Sequence, residues 1–203
     1  MGVLRQLFGP SKAEVWRRLA EEVGGQFVEG GFFGRDEVIV RVGEWTLTLD
    51  THTVSTGKTT VTFTRMRAPY VNGDGFRFDI YRKTVFSGLG KLLGMQDVEV
   101  GVRDIDDDFI IKGTNEGQLR TLFADPRVCD LLRGQPAIRL LVKDDEGWFG
   151  AKFPEGVDEL YFQVVGVLKD IERLKSLFEL FAEVLDRLCR MGSAYERGPG
   201  VML

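Results

Sequence analysis

One histidine, His52, and two cysteines, Cys129 and Cys189, are the whole imidazole and thiol inventory of this 203-residue chain. A Ser-His-Asp or Cys-His centre needs its imidazole beside a nucleophile, and a structural zinc site needs four soft or borderline ligands. His52 lies two residues from Asp50 in a Thr-rich stretch, so strand alternation would put both on one side, the minimum for general-base chemistry. One adjacent pair does not make a catalytic centre, and exposed turn residues are its ordinary explanation. The cysteines form no CxxC spacing and read as reduced, buried, structural thiols.

Carboxylates alone can hold a hard cation, and Asp104-Ile105-Asp106-Asp107-Asp108 places them at the first, third and fifth positions of a calcium-type loop. Phe109 stands where that loop turns on glycine, and Asn115 where it needs a bidentate glutamate. Asp104, Asp106 and Asp108 are thus metal candidates only in company with Asp97 or Glu99; otherwise the run is a solvated turn before a strand. Thr56-Gly57-Lys58-Thr59 resembles the end of a P-loop, but His52 occupies the place of its first glycine. A strand pattern follows where a helix should receive the phosphate. Gly88-Leu89-Gly90-Lys91-Leu92-Leu93-Gly94 approximates a dinucleotide fingerprint with its third glycine one position late and no room for the helix behind it. No catalytic residue, cofactor or resident metal is therefore predicted.

A milder possibility is a hydroxyl-rich sheet face. Thr60, Thr62 and Thr64, with Thr46 and Thr48, could share one side flanked by Arg65, Arg67, Arg77 and Arg82, and hold a small anionic ligand or an acidic segment of a partner protein. Threonine is also the ordinary polar residue for the wet side of an antiparallel sheet. Trp148-Phe149 reads as core or interface.

The elements that would position these groups follow from periodicity. Ser11-Lys12-Ala13-Glu14 is a capping box, and Val15, Trp16, Leu19, Ala20 and Val23 then fall on one helical face ending at Gly24-Gly25. From Gln26 to about Val100 the period is two, as in Trp45-Thr46-Leu47-Thr48-Leu49 and Phe76-Arg77-Phe78-Asp79-Ile80, with links too short for crossover helices. An antiparallel meander is expected. A strand over Asp108 to Lys112, short helices opening at Asn115 and Asp125-Pro126, and strands over Ala137–Lys143, Trp148–Phe153 and Glu159–Val165 come next. The longest helix runs from about Lys169 to Met191 with a broad apolar stripe. That stripe lies across a sheet or, on the sharper alternative, pairs with a second copy through Phe178, Phe181 and Leu185.

The predicted fold is α+β: an antiparallel sheet in two portions, an N-terminal helix, short central helices and a long C-terminal helix packed on the sheet. Residues 1–191 read as a single globular domain, with room for two lobes meeting near residue 100, and residues 192–203 as a flexible Gly, Ser and Pro-rich tail. The formal net charge of −4 argues against nucleic acid as a partner. No transmembrane segment or secretory leader is legible, so a cytoplasmic location is expected.

The order of Val85-Phe86-Ser87-Gly88-Leu89, Phe109-Ile110-Ile111-Lys112 and Asn115-Glu116-Gly117-Gln118-Leu119-Arg120-Thr121-Leu122-Phe123, followed by Ile138–Val142, Glu159–Val164 and the closing helix, resembles an uncharacterised bacterial family. Its members are domains of unknown function, often adjacent to membrane segments; the pattern spans about residues 75–190. The resemblance assigns no functional residues. The residue inventory favours a non-enzymatic protein-interaction or ligand-binding module; the alternative is a Mg- or Ca-assisted hydrolase using the Asp97–Asp108 segment.

Overall fold

Ser11 opens the first helix by a reciprocal exchange: its hydroxyl accepts from the Glu14 amide at 3.2 Å, and the Glu14 carboxylate accepts from the Ser11 amide at 3.0 Å. In the computed structural model, which describes residues 9–31, 35–55, 57–85, 96–144, 153–201 and 203, this helix is α1 (Lys12–Glu22). It buries Val15, Trp16, Leu19 and Ala20, and the Trp16 indole donates to the Leu168 carbonyl at 3.0 Å. The chain turns at Gly24, whose φ of 68° is in the left-handed region that favours glycine.

Strands β1 (Gln26–Val28), β2 (Glu37–Val42), β3 (Trp45–Ser55) and β4 (Thr60–Asn72) then form the expected antiparallel meander. Next come β5 (Phe78–Arg82), β6 (Gln96–Asp97), α2 (Arg103–Asp108), β7 (Phe109–Gly113), α3 (Glu116–Phe123), α4 (Pro126–Arg133), β8 (Arg139–Lys143), β9 (Val157–Val165), α5 (Ile171–Arg190) and β10 (Ala194–Tyr195). Asn115 caps α3 by accepting from the Gln118 amide, and Asp125 caps α4, where Pro126 takes the first helical position.

The strands make one antiparallel sheet in the order β1-β2-β3-β4-β9-β8-β5-β7-β6, with β10 on β4. The two strand-rich stretches of sequence are therefore portions of one continuous layer. The antiparallel pair β8 and β9 joins them, β9 pairing with β4 from Phe63↔Val165 to Val71↔Val157 and β8 with β5 from Asp79↔Leu141 to Tyr81↔Arg139. This insertion satisfies the backbone groups of both inner edges, which burial would otherwise leave unpaired.

All five described helices pack on one side. Their apolar faces meet Val38, Leu47, Leu49, Met66, Phe78, Ile80, Ile111, Leu140, Leu160 and Phe162 in a single core. α5 buries Leu174, Leu177, Phe178, Leu180, Phe181, Val184, Leu185 and Leu188 there. Phe178, Phe181 and Leu185 are 5%, 0% and 0% exposed within one chain, so the sequence-predicted dimer seam is corrected: these side chains are already spent on the core.

The tail expectation is also corrected. Ser193 and Ala194 are buried, and the Ser193 amide donates to the Leu188 carbonyl at 2.9 Å. Its own carbonyl accepts from Gly73, and its hydroxyl joins Asp74 and Gln118 at 3.0 and 2.8 Å. A polar composition suggested disorder, but an unfilled edge of β4 captures this segment as β10, pairing Ala194↔Asn72 and Tyr195↔Val71.

Candidate functional site

Strand alternation sends every second residue to the side away from the helices. Across the sheet that side carries Val28 on β1, Ile39 and Arg41 on β2, Thr46, Thr48, Asp50, His52 and Val54 on β3, and Val61, Phe63, Arg65, Arg67 and Pro69 on β4. It continues with Glu159, Tyr161, Gln163 and Val165 on β9, Arg139, Leu141 and Lys143 on β8, and Asp79 and Tyr81 on β5. Among the described residues no helix lies on this face.

Its centre is a lattice of paired charges. Asp50 is fully buried; Arg65 donates to its two carboxylate oxygens at 2.5 and 2.8 Å, and Arg67 donates to it at 2.9 Å. Arg35 stands 4.0 Å away. Burial, and then the nearby Asp50 carboxylate, push Glu37 above its ordinary value. Farther along, Arg139 makes a bidentate pair with Asp79 at 2.9 and 2.8 Å, and Lys143 lies 3.3 Å from Glu159 and over the Tyr161 ring. Charges taken from water are tolerated only when compensated this closely.

The face is apolar at one end. β2 leaves β3 at Val38↔Leu49, whereas β3 and β4 run on together to Ser55↔Thr60. The result is an arm that β9 flanks as far as Phe63↔Val165 and that is two-stranded only beyond that pair. On it Val54 and Val61 are opposite each other, as are Phe63 and Val165; Val54 is 40% exposed and Val165 67%. Gly57-Lys58-Thr59 belongs to the turn at the arm's tip, with a strand rather than a helix after it, which removes the geometry a P-loop needs; Thr56 lies outside the described residues.

The predicted hydroxyl-and-guanidinium face is divided by this register. Thr51 pairs with Thr64 and Asp50 with Arg65, so Thr60, Thr62 and Thr64 turn to the helix side while Arg65 and Arg67 turn away from it. Thr64 is buried, donating to the Gly166 carbonyl and accepting from the Leu168 amide, both at 2.8 Å. Arg77 is elsewhere again, holding Asp158 with two bonds of 3.0 Å and Asp144 with one of 2.9 Å. His52 does share a face with Asp50, as alternation predicts, but both Asp50 oxygens are occupied by arginines.

The acidic run is a short helix rather than a turn, and Asp106 ties the preceding loop to it, accepting from the Val100 and Gly101 amides at 2.8 and 2.9 Å. Asp104 faces Arg133 at 3.5 Å, Asp108 pairs with Arg82 at 2.8 Å and Asp97 with Lys112 at 3.2 Å. The carboxylates are thus dispersed among three cationic side chains and two backbone amides, and among the described residues no three His, Cys, Asp or Glu gather closely enough to share an ion. Cys129 is buried and donates to the Phe123 carbonyl at 3.2 Å; Cys189 is half-buried, and burial pushes both thiols up. The Gly88–Gly94 motif and Trp148-Phe149 lie outside the described residues.

Sequence reasoning missed the ion lattice and the apolar arm. Their residues are visible as alternating types, but the pairing of Asp50 with Arg65 requires the hairpin register. No helix among the described residues is long and apolar enough to cross a membrane.

No family model matches the chain, and no curated protein matches it. Among solved structures it resembles the crystal structure of the mycobacterial trehalose monomycolate transport factor A, TtfA, with a TM-score of 0.52 at 9% identity. The match covers 87% of this chain and 94% of that one, a likeness of fold.

Proposed function

We propose that this chain is a non-enzymatic binding module that docks a partner protein on the β3–β4 arm. The observation carrying this reading is the exposure of Val54 and Val165 beside Val61 and Phe63 on one side of the β3–β4 arm and the end of β9 that flanks it. Apolar surface costs about 25 cal/mol per Å² while it faces water, and its concentration on a projecting element marks an interaction surface. The outer edge of β3 from Thr51 to Ser55 extends past β2, so its backbone groups can receive an extended segment of the partner. A protein fits this combination better than a small anion, because Arg65, Arg67 and Arg77 are engaged by Asp50, Asp158 and Asp144. The structural neighbour is named for transport rather than for a reaction, which accords with a binding role.

The test places a photo-crosslinking residue at Val54 on the arm and, separately, at Glu179 on the exposed side of α5, in cells that produce the protein. One defined adduct from position 54, lost when Val165→Glu is added, is the expected result. Equal adducts from both positions, or none from position 54, would refute the docking arm.

A further inference from the structure

At the other end of β3 the same face holds a largely apolar trough, one wall of which is formed by the chain's own Val201 and Leu203. β3 pairs with β4 from Ser55↔Thr60 to Thr48↔Arg67, and Pro69 stands just beyond. Proline has no N–H to continue a ladder. β4 instead takes β10 at Val71 and Asn72, and a cavity of about 240 Å³ forms where the ladder stops, lined by Ile39, Thr46, Thr48, Pro69, Val201 and Leu203.

The segment after β10 is directed to this trough. Tyr195 packs against Gly73, where an added Cβ would meet its ring at 2.8 Å, so the start of the segment is anchored. Gly198-Pro199-Gly200, with Gly200 at φ 70°, turns the chain, and Val201 and Leu203 then form one wall of the cavity. Val201 and Leu203, two positions apart, both line the cavity, so this pair presents two aliphatic side chains to a lining made by Ile39, Pro69, Thr46 and Thr48.

We infer that the trough is a binding site for an extended peptide carrying aliphatic residues two apart, and that Val201 and Leu203 act as a tethered pseudo-ligand holding it closed. The site is separate from the β3–β4 arm: Thr46 and Val54 stand at opposite ends of one strand. A tether of this length gives the occupying segment an effective concentration on the order of millimolar, so a free peptide competes at micromolar concentration only when the strap is disabled.

The experiment uses the full chain and a fluorescently labelled synthetic peptide with the sequence of residues 197–203, read by anisotropy. The intact chain is compared with the Val201→Asp/Leu203→Asp variant, whose strap would have to bury two carboxylates to stay seated. The expected result is at least tenfold tighter peptide binding by the variant. Adding Thr46→Arg, an exposed position that fills the trough, is expected to remove that binding. Unchanged unfolding temperatures verify that both variants fold. Equal affinity of intact and variant chains, no binding by the variant, or binding that survives Thr46→Arg would each overturn the inference. None of these outcomes bears on crosslinking at position 54, so the two readings fail separately.

Discussion

Replacing Asp50 by alanine tests whether the centre of the face turned away from the described helices is a structural lattice or a ready anion site. The carboxylate is fully buried and serves two arginines that are themselves 7% and 3% exposed. Removing it leaves guanidinium charge in a low-dielectric environment without its compensating partner. Breaking a buried ion pair from one side costs about 3–5 kcal/mol. For a domain of this size each kcal/mol shifts the unfolding midpoint by about 2–4 °C, so Asp50→Ala should unfold about 6–20 °C below the parent chain. The exposed Arg18–Glu22 pair on α1 is the control: Arg18→Ala should cost less than about 1 kcal/mol, because water already screens it. The variant also has a carboxylate-sized gap facing Arg65 and Arg67. Formate in tens of millimolar should therefore refill it, and at tenfold over its dissociation constant should restore about 1.4 kcal/mol in the variant alone. Calorimetry or thermal denaturation followed by circular dichroism reads both effects. A loss smaller than about 2 °C, on the same conversion, or an equal formate response in both proteins would show that Asp50 does not neutralise these arginines.

Three further outcomes follow from the packing. Phe181→Ala should destabilise by about 3–5 kcal/mol without changing the sedimentation coefficient, because the ring is buried within one chain; a stable protein that dissociates would restore the dimer seam. Thr64→Val should cost about 1–3 kcal/mol in urea denaturation by stranding the Leu168 amide and the Gly166 carbonyl, and a neutral result would contradict that pairing. Glu37 is raised first by burial and then by Asp50, so the fold favours its protonated form; its contribution is complete below the unfolded-state pKa and is lost as pH rises through the folded one. Glu37→Gln should accordingly gain up to about 0.5 kcal/mol near neutral pH and nothing in mild acid, measured as the difference in unfolding free energy at the two pH values.

Local signals were legible where the chemistry is local. Ser11 with Glu14, Asn115 with Gln118, and Asp125 with Pro126 announced three helix starts, since a cap is decided by residues within one turn. Alternation over Trp45–Leu49 and the broad stripe of Ile171–Arg190 likewise announced a strand and a sheet-covering helix. The Gln118 side chain shows the limit. It stands three residues after the Asn115 cap, yet its amide reaches Asp74 and Ser193, which the sequence keeps 44 and 75 residues away.

The candidate site depended on parity. Whether Thr64 or Arg65 joins Asp50 on one face turns on a single-residue shift in the β3–β4 hairpin, and a shift of one exchanges all its side chains between faces. The acidic run misled for a similar reason: carboxylate spacing resembled a cation loop, while the actual partners, Arg82 and Arg133 with the amides of Val100 and Gly101, are supplied by three other segments.

Residue types and their periods, by themselves, determined the α+β class, the helix starts, most strand positions and the poverty in imidazole and thiol. Tertiary structure alone decided that β8 and β9 stand between β4 and β5, that Arg65 and Arg67 both pair with Asp50, and that Val201 and Leu203 lie on the trough beside Pro69. The physical reason is range: propensity and capping are energies of neighbours along the chain, whereas edge pairing, charge compensation and apolar burial are settled between segments that meet only once the sheet has formed.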